Sequence, residues 1–200
     1  MIDLLNAYQG IIFDMDGTLV DSMPAHIEAW RRTAEIHGFP FDEKWQYSLG
    51  GVPTAKIAER INAKFGLQLD CEAVAATKRQ QWNLLGDSPQ LIEQTYDVFK
   101  ASLGSKKIAV GTGSVRSHAE HILADVGVIE HLDALVTACD VANGKPHPET
   151  FVTAAESMGV APEHCVVFED TDIGEQAARA AGMDCIRIDV GVIRWPASSS

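Results

Sequence analysis

The sequence predicts an α/β protein: a doubly wound parallel sheet with a small α-helical unit inserted after its first strand. Three observations carry this. From residue 91 onward, short apolar runs alternate with helical stretches over brief links, the pattern of βα units. Residues 20–86 are helix-rich and strand-poor. The first apolar run, Gly10-Ile11-Ile12-Phe13, leads directly into Asp14 and Asp16, as a buried strand delivering side chains to the carboxyl end of a parallel sheet would.

The elements follow in order. Residues 10–13 read as the first strand, because a short apolar run bounded by a turn signal suits a strand buried on both faces. Residues 24–37 read as a helix, with Pro24 in its first turn and Gly38 past its end. A second short helix is expected over 41–49, a turn at Gly50 and Gly51, and helices over 54–65 and 71–85. Ile57, Ile61 and Phe65 form one stripe of the third. The alternating part then gives helix 91–103, strand 107–111, helix 117–126, strand 134–137, helix 149–158, strand 165–168, helix 173–181 and a last strand at 185–188. Glycines at 127, 159 and 182 close three of these helices. The expected division is a core of residues 1–19 and 87–200 and a helical unit of 20–86, with hinges near 19–22 and 86–89. Ala197 to Ser200 reads as a loose end.

Composition narrows the function. Two hundred residues, 46% hydrophobic and 22% charged, suit one globular unit with an insertion. A net charge of −12 argues against general nucleic-acid or anionic-membrane binding. Cys71, Cys139, Cys165 and Cys185 have no Cys-x-x-Cys spacing and read as buried, reduced thiols. No apolar run reaches membrane-span length, and Met1 to Gln9 lack signal-peptide character, so a soluble, cytoplasmic protein is expected, with monomer as the default state.

Four points fall where this architecture places a ligand. Asp14 and Asp16 alternate along an extended segment, so both carboxylates can face one space; two like charges there call for a cation or a shared proton, and oxygen ligands suit magnesium. Alone, the pair reads equally as a strand-end turn. Gly111-Thr112-Gly113-Ser114 follows the next strand with small residues and hydroxyls that can approach an anion, or simply enter a helix. Lys145, held between Gly144 and Pro146 before a further Pro148, is a cation in a rigid loop suited to a phosphoryl group; His147 beside it reads as exposed or packing. Glu169, Asp170 and Asp172 follow the strand at 165–168, as helix caps or as the remainder of an acidic cage.

In this order the four points resemble the motifs of the haloacid dehalogenase superfamily, over nearly the whole chain. Asp14-Met15-Asp16-Gly17-Thr18-Leu19-Val20 is similar to its first motif, and the 20–86 insertion to its small helical cap. Glu169-Asp170-Thr171-Asp172-Ile173-Gly174 and the small-residue run 177–182 resemble the branch of beta-phosphoglucomutase and small sugar-phosphate phosphatases, closest to fructose-1-phosphatase-like proteins. The resemblance implies a phosphatase acting on a small phosphorylated sugar: Asp14 as nucleophile through an aspartyl-phosphate, Asp16 as acid and base, and Thr112 and Lys145 on the phosphoryl oxygens. It implies Mg2+ held by Asp14, Asp170 and the backbone carbonyl of Asp16, with Glu169 and Asp172 supporting. His26, twelve residues beyond Asp14, stands where the mutase has a histidine, and Gly51 to Thr54 matches its specificity loop, with Gly113 and Ser114 also expected at the substrate. Thr54 replaces a mutase arginine that grips a distal phosphate, which favours hydrolysis over the mutase alternative. A non-catalytic phosphosugar-binding module and a dehalogenase are further alternatives, both opposed by the intact acidic and lysine motifs. Lys78 and Arg79 read as a solvated helix face, and Trp30 as packing.

Overall fold

A computed structural model describes residues 2–86 and 89–196. The expected loose end at 197–200 and part of the second expected hinge lie outside the described residues. After a 3-10 turn at Ile2–Ala7, which the sequence reading did not anticipate, the chain enters β1 (Gly10–Phe13). A two-residue β2 (Val20–Asp21) precedes four helices, α1 (Met23–His37), α2 (Glu43–Tyr47), α3 (Thr54–Phe65) and α4 (Cys71–Leu85). The chain returns through β3 (Gln90–Leu91), which pairs antiparallel with β2. Then come α5 (Glu93–Ser102), β4 (Lys107–Gly111), α6 (Arg116–Asp125), β5 (Ala134–Val136), α7 (Glu149–Met158), β6 (Cys165–Glu169), α8 (Asp172–Ala180), β7 (Asp184–Asp189) and β8 (Val192–Arg194).

The main sheet has the order β5-β4-β1-β6-β7-β8. Its β5 to β7 part is parallel, as predicted, but the run at 185–188 is not the last strand: β8 folds back antiparallel to β7. The turn at Val190 and Gly191, both with positive φ, makes the hairpin. The doubly wound arrangement is visible in the burial of β1. Ile11 and Phe13 enter a core with Phe99, Val110 and Phe168, whereas Ile12 enters the opposite one with Ala109, Phe151 and Val167. Successive side chains leave opposite faces, and helices cover both. β1 lies between β4 and β6, and the chain builds outward from it in both directions. The carboxyl end of β1 is therefore the switch point where such sheets leave a crevice.

The helical unit closes over that crevice with its own core of Trp30, Ala34, Phe39, Ile57, Ile61 and Val74. Trp30 is thus a packing residue, as read. Local chemistry sets the helix ends. Asp42 and Asp70 accept hydrogen bonds from the first-turn amides of α2 and α4. Gly38 takes a left-handed conformation after α1, its N–H donating to the Ala34 carbonyl. The four cysteines are free; Cys165 is buried, but Cys139 is exposed, contrary to the expectation of uniformly buried thiols.

Candidate active site

Asp14 leaves the end of β1 with its N–H bonded to the Phe168 carbonyl of β6 (2.9 Å), which fixes it beside the residues that follow β6. The chain then turns at Gly17, at φ +85°, where a Cβ would lie 2.4 Å from Asp170 Oδ2; only glycine fits this approach. From the loop between β5 and α7, Lys145 donates to Asp14 Oδ1 (2.6 Å) and Glu169 Oε1 (2.9 Å), with its side chain fully buried. Glu169 Oε2 accepts from the N–H (2.6 Å) and hydroxyl (2.9 Å) of Thr171, so both its oxygens are engaged. Asp170 has looser partners, Thr18 Oγ1 and the Tyr47 hydroxyl, both at 3.3 Å.

Carboxylate oxygens of Asp14, Glu169 and Asp170 lie within 4.8 Å of one another. Burial first, and then the neighbouring acids, push the Asp14 carboxyl well above the aspartate range despite Lys145. Asp170 is pushed up to about 7 by burial and Glu169. Lys145, which burial alone would push down, is instead driven up by Asp14 and Glu169 and stays charged. One buried ammonium against three acids leaves a deficit of positive charge. A hard divalent cation fits this oxygen donor set: Asp14 and Asp170 have oxygens free of strong partners, while Glu169 is occupied in orienting Lys145.

Asp16 faces the other way. Its Oδ1 accepts from Ser22 Oγ (2.5 Å) and lies 3.1 Å from His26 Nε2; its Oδ2 accepts from Ser114 Oγ (2.9 Å). Burial alone would raise this carboxyl, but His26, then His118 and the Ser22 hydroxyl, outweigh it and hold the group well below the ordinary range. Behind His26, Lys78 Nζ sits 2.5 Å from Nδ1. The expected solvated face for Lys78 is therefore wrong: the residue is buried, and burial lowers its ammonium to about 8. Arg79 is exposed, as read. His26, which burial and then Lys78 push toward the neutral form, packs against Trp82 at a tilt of 36°, ring centroids 4.1 Å apart.

Thr112 is buried, its Oγ1 accepting from the Ser114 N–H (3.0 Å). Gly113 touches the helical unit: a Cβ there would lie 2.1 Å from the Gly51 carbonyl oxygen. Gly51 in turn approaches the Lys145 side chain. Thr54 opens α3 and lines, with Asp16, His26, Gln46, Gly51, Lys78 and Ser114, a cavity of about 50 Å³. His147 is exposed. Asp172 is not at the acidic cluster; it is exposed at the start of α8, paired with Arg187 (3.2 Å), whose guanidinium donates to the Asp170 carbonyl (2.6 Å). Ser22, Gln46, Tyr47 and His118 reach the site without having been singled out. Gln46 is buried, and its Nε2 has no hydrogen-bond partner among the described residues.

A doubly wound sheet with a lysine-paired aspartate and an acidic cluster at its switch point defines a class, the α/β enzymes whose ligand site lies beyond the carboxyl ends of the strands. Residues 8–182 match the haloacid dehalogenase-like hydrolase family, and the chain belongs to it. It is 43% identical over 182 residues to "Fructose-1-phosphate phosphatase YqaB" of Escherichia coli K12, covering 90% of this chain and 96% of that one. It is 27% identical to the beta-phosphoglucomutase of Bacillus subtilis, covering 92% and 84%. A structure of a putative beta-phosphoglucomutase from Bacteroides vulgatus superposes with a TM-score of 0.81 at 26% identity, over 92% of this chain and 77% of that one. The protein is a phosphatase of this family, and no helix among the described residues is long and apolar enough to cross a membrane.

Proposed function

We propose that the protein hydrolyses a small sugar phosphate of the fructose 1-phosphate type, through an aspartyl-phosphate on Asp14 and with Mg2+. The observation that carries this reading is the opposite surroundings of Asp14 and Asp16. Asp14 faces a cation at the acidic cluster, whereas Asp16 sits among hydroxyls and an imidazole that can carry protons, and this difference in partners separates a nucleophilic from an acid–base role. Asp14 lies against Lys145, whose ammonium fixes one oxygen and screens approach of a phosphoryl group. Mg2+, held by Asp14, Asp170 and the backbone carbonyl of Asp16, would neutralise charge on the phosphoryl oxygens.

Asp14 attacks phosphorus and the bond to the sugar oxygen breaks, that oxygen taking a proton from Asp16. Water then attacks the aspartyl-phosphate and gives its proton to Asp16, releasing phosphate and the Asp14 carboxylate. The observed Asp16, an acceptor from Ser22, Ser114 and His26, is in the state for the second step. The chain from Lys78 through His26 to Asp16 supplies the proton for the first. Thr112 and Lys145 hold the transferring group, and the free Gln46 amide donates to a sugar oxygen. Residues 20–86 act as a cap on the core formed by 1–19 and 87–200. A cavity of about 50 Å³ holds only about three or four waters at about 15 Å³ each, so the cap opens for substrate. The reading takes the protein as a cytoplasmic monomer.

The test is phosphate release from fructose 1-phosphate, glucose 6-phosphate, 6-phosphogluconate and phosphoglycolate, with and without Mg2+, for wild type and Asp14→Asn. Mg2+-dependent release that vanishes in the variant is expected. Conversion of beta-glucose 1-phosphate to glucose 6-phosphate without release would establish the mutase instead, against the loss of a distal-phosphate arginine at Thr54.

A further inference from the structure

We propose that Asp16, His26 and His118 form a second metal site, selective for a transition-metal divalent cation such as Zn2+, and that its occupation shuts the enzyme off. The inhibitory part rests on Asp16 acting in hydrolysis; the binding part does not. Ligand atoms of the three residues lie within 4.8 Å of one another, and Asp16 Oδ1 and His26 Nε2 are already 3.1 Å apart. Donors around a tetrahedral zinc stand about 3.3 Å from each other, given metal–ligand bonds of about 2.0–2.1 Å. Two imidazoles with one carboxylate favour zinc, cobalt or nickel over magnesium. The all-oxygen cluster at Asp14 and Asp170 has the reverse preference, so the two sites divide the metals between them.

An independent observation points to a ligand. His118 Nε2 is buried and has no hydrogen-bond partner among the described residues. An orphaned imidazole nitrogen beside a carboxylate and a second imidazole carries a desolvation cost that a bound cation removes. The outer contacts of a metal site are also in place. Ser114 holds the other oxygen of Asp16, Lys78 engages the other nitrogen of His26, and Trp82 packs on the His26 ring. A cavity of about 280 Å³, lined in part by His26, Lys78, Trp82 and His118, provides the way in. Its described lining holds no Asp or Glu, and His121 is a third imidazole along it.

Coordination at His26 Nε2 replaces the proton there. The Lys78 ammonium passes one proton to Nδ1 and becomes the acceptor, so one proton is released to solvent per ion bound. The consequence is mechanical as well as chemical. His26 lies on α1 of the helical unit, whereas Asp16 and His118 lie on the sheet and its α6. A bound ion would tie the two parts together in the closed form and take up the carboxylate that moves protons.

The experiment titrates Zn2+ and Co2+ into the metal-free full-length protein by calorimetry and visible absorption, and measures Zn2+ inhibition at saturating Mg2+. Wild type, His118→Asn, His118→Gln and Asp170→Asn are compared, with circular dichroism to establish that each is folded. Expected are the visible bands of four-coordinate Co2+ in wild type and in Asp170→Asn, their loss in both His118 variants, and a rise of about 10–100-fold in the Zn2+ inhibition constant for the His118 variants relative to their own uninhibited rates. Inhibition unchanged in folded His118 variants, or cobalt bands lost only in Asp170→Asn, would place the ion at the acidic cluster and overturn the proposal. If no phosphate ester is hydrolysed, the function proposed above fails, while the cobalt spectrum still decides the site.

Discussion

Asp14 and Asp16 stand two positions apart on one loop, yet their surroundings are opposite. Asp14 is pressed among acids and answered by one lysine; Asp16 is ringed by hydroxyls and an imidazole. The acidic side comes wholly from strand ends of the sheet, and the donor side comes largely from α1 and α4 of the helical unit. The sheet therefore gathers the acids and their lysine, while Asp16 takes its partners from the helical unit and from the entry to α6. The difference teaches that the two halves of the site have separate failure modes. Asp14→Asn should remove turnover almost entirely, by on the order of 10⁵-fold or more, because a carboxamide cannot form the acyl phosphate. Phosphate release under Mg2+ measures it; residual activity within about a hundredfold of wild type would break the assignment.

Asp16→Asn should cost less, about 10²–10⁴-fold, the usual share of a positioned acid and base. It should also leave a phosphorylated protein that mass spectrometry detects, since attack by water loses its base. If Asp16 were only structural, phosphoprotein would not accumulate. Lys145→Met bears on the acidic half alone. It strips the one cation from two buried carboxylates, and breaking such a pair costs about 3–5 kcal/mol in stability. Urea unfolding without Mg2+ checks the loss, and added Mg2+ should recover part of it. An equal loss from Lys78→Met would erase the contrast between the halves.

The contrast also has a pH signature. Asp170, at about 7 in the folded, metal-free protein against 3.8 for the free side chain, holds a proton that the unfolded chain has released. Its contribution to stability is full below about 4 and is lost as pH rises through about 7, the sign for a raised carboxyl. Metal binding needs the carboxylate, so Mg2+ affinity should fall at least about tenfold per pH unit below 7, more steeply where Asp14 must also release a proton, and the Mg2+-induced rise in Tm should shrink in step. A Tm rise independent of pH over about 5–8 would exclude Asp170 as a ligand.

The acidic half was legible in the sequence; of the donor half, His26 and Ser114 were legible, and Ser22, Lys78 and His118 were not. Asp14, Lys145, Glu169 and Asp170 each follow a strand or sit in a proline-braced loop, so local pattern and sheet topology together place them. The pairing of Lys78 with His26 spans 52 positions, and that of Ser114 with Asp16 spans 98. Helical periodicity puts Lys78 on a face but says nothing of what that face meets, and it was read as solvated. His118 lies one turn beyond Ser114 on α6, and no motif marks it. Asp172, expected beside Glu169 as a supporting residue, opens α8 and pairs with Arg187, which donates to the Asp170 carbonyl. β8 escaped notice because three residues after a turn carry too little periodicity to register.

The smallest expected effect sharpens the comparison at the seam between the halves. Gly113 lies on the sheet side, and its α-carbon faces the Gly51 carbonyl of the helical unit so closely that an alanine Cβ would sit 2.1 Å from that oxygen. Both partners there are backbone, so neither can rotate away. Gly113→Ala should leave β1, Lys145 and the acidic cluster as they are while holding the helical unit slightly open, which displaces His26 and Lys78 from Asp16. Misplacement by about 1 Å can cost up to about 10²-fold; since only the proton-handling half moves, about tenfold in kcat/KM is expected. Mg2+ affinity and urea stability should stay near wild type, and phosphoprotein should become detectable, as in Asp16→Asn but more weakly. A variant that instead lost Mg2+ binding would show that closure of the helical unit also shapes the acidic side, and that the two halves are not separable.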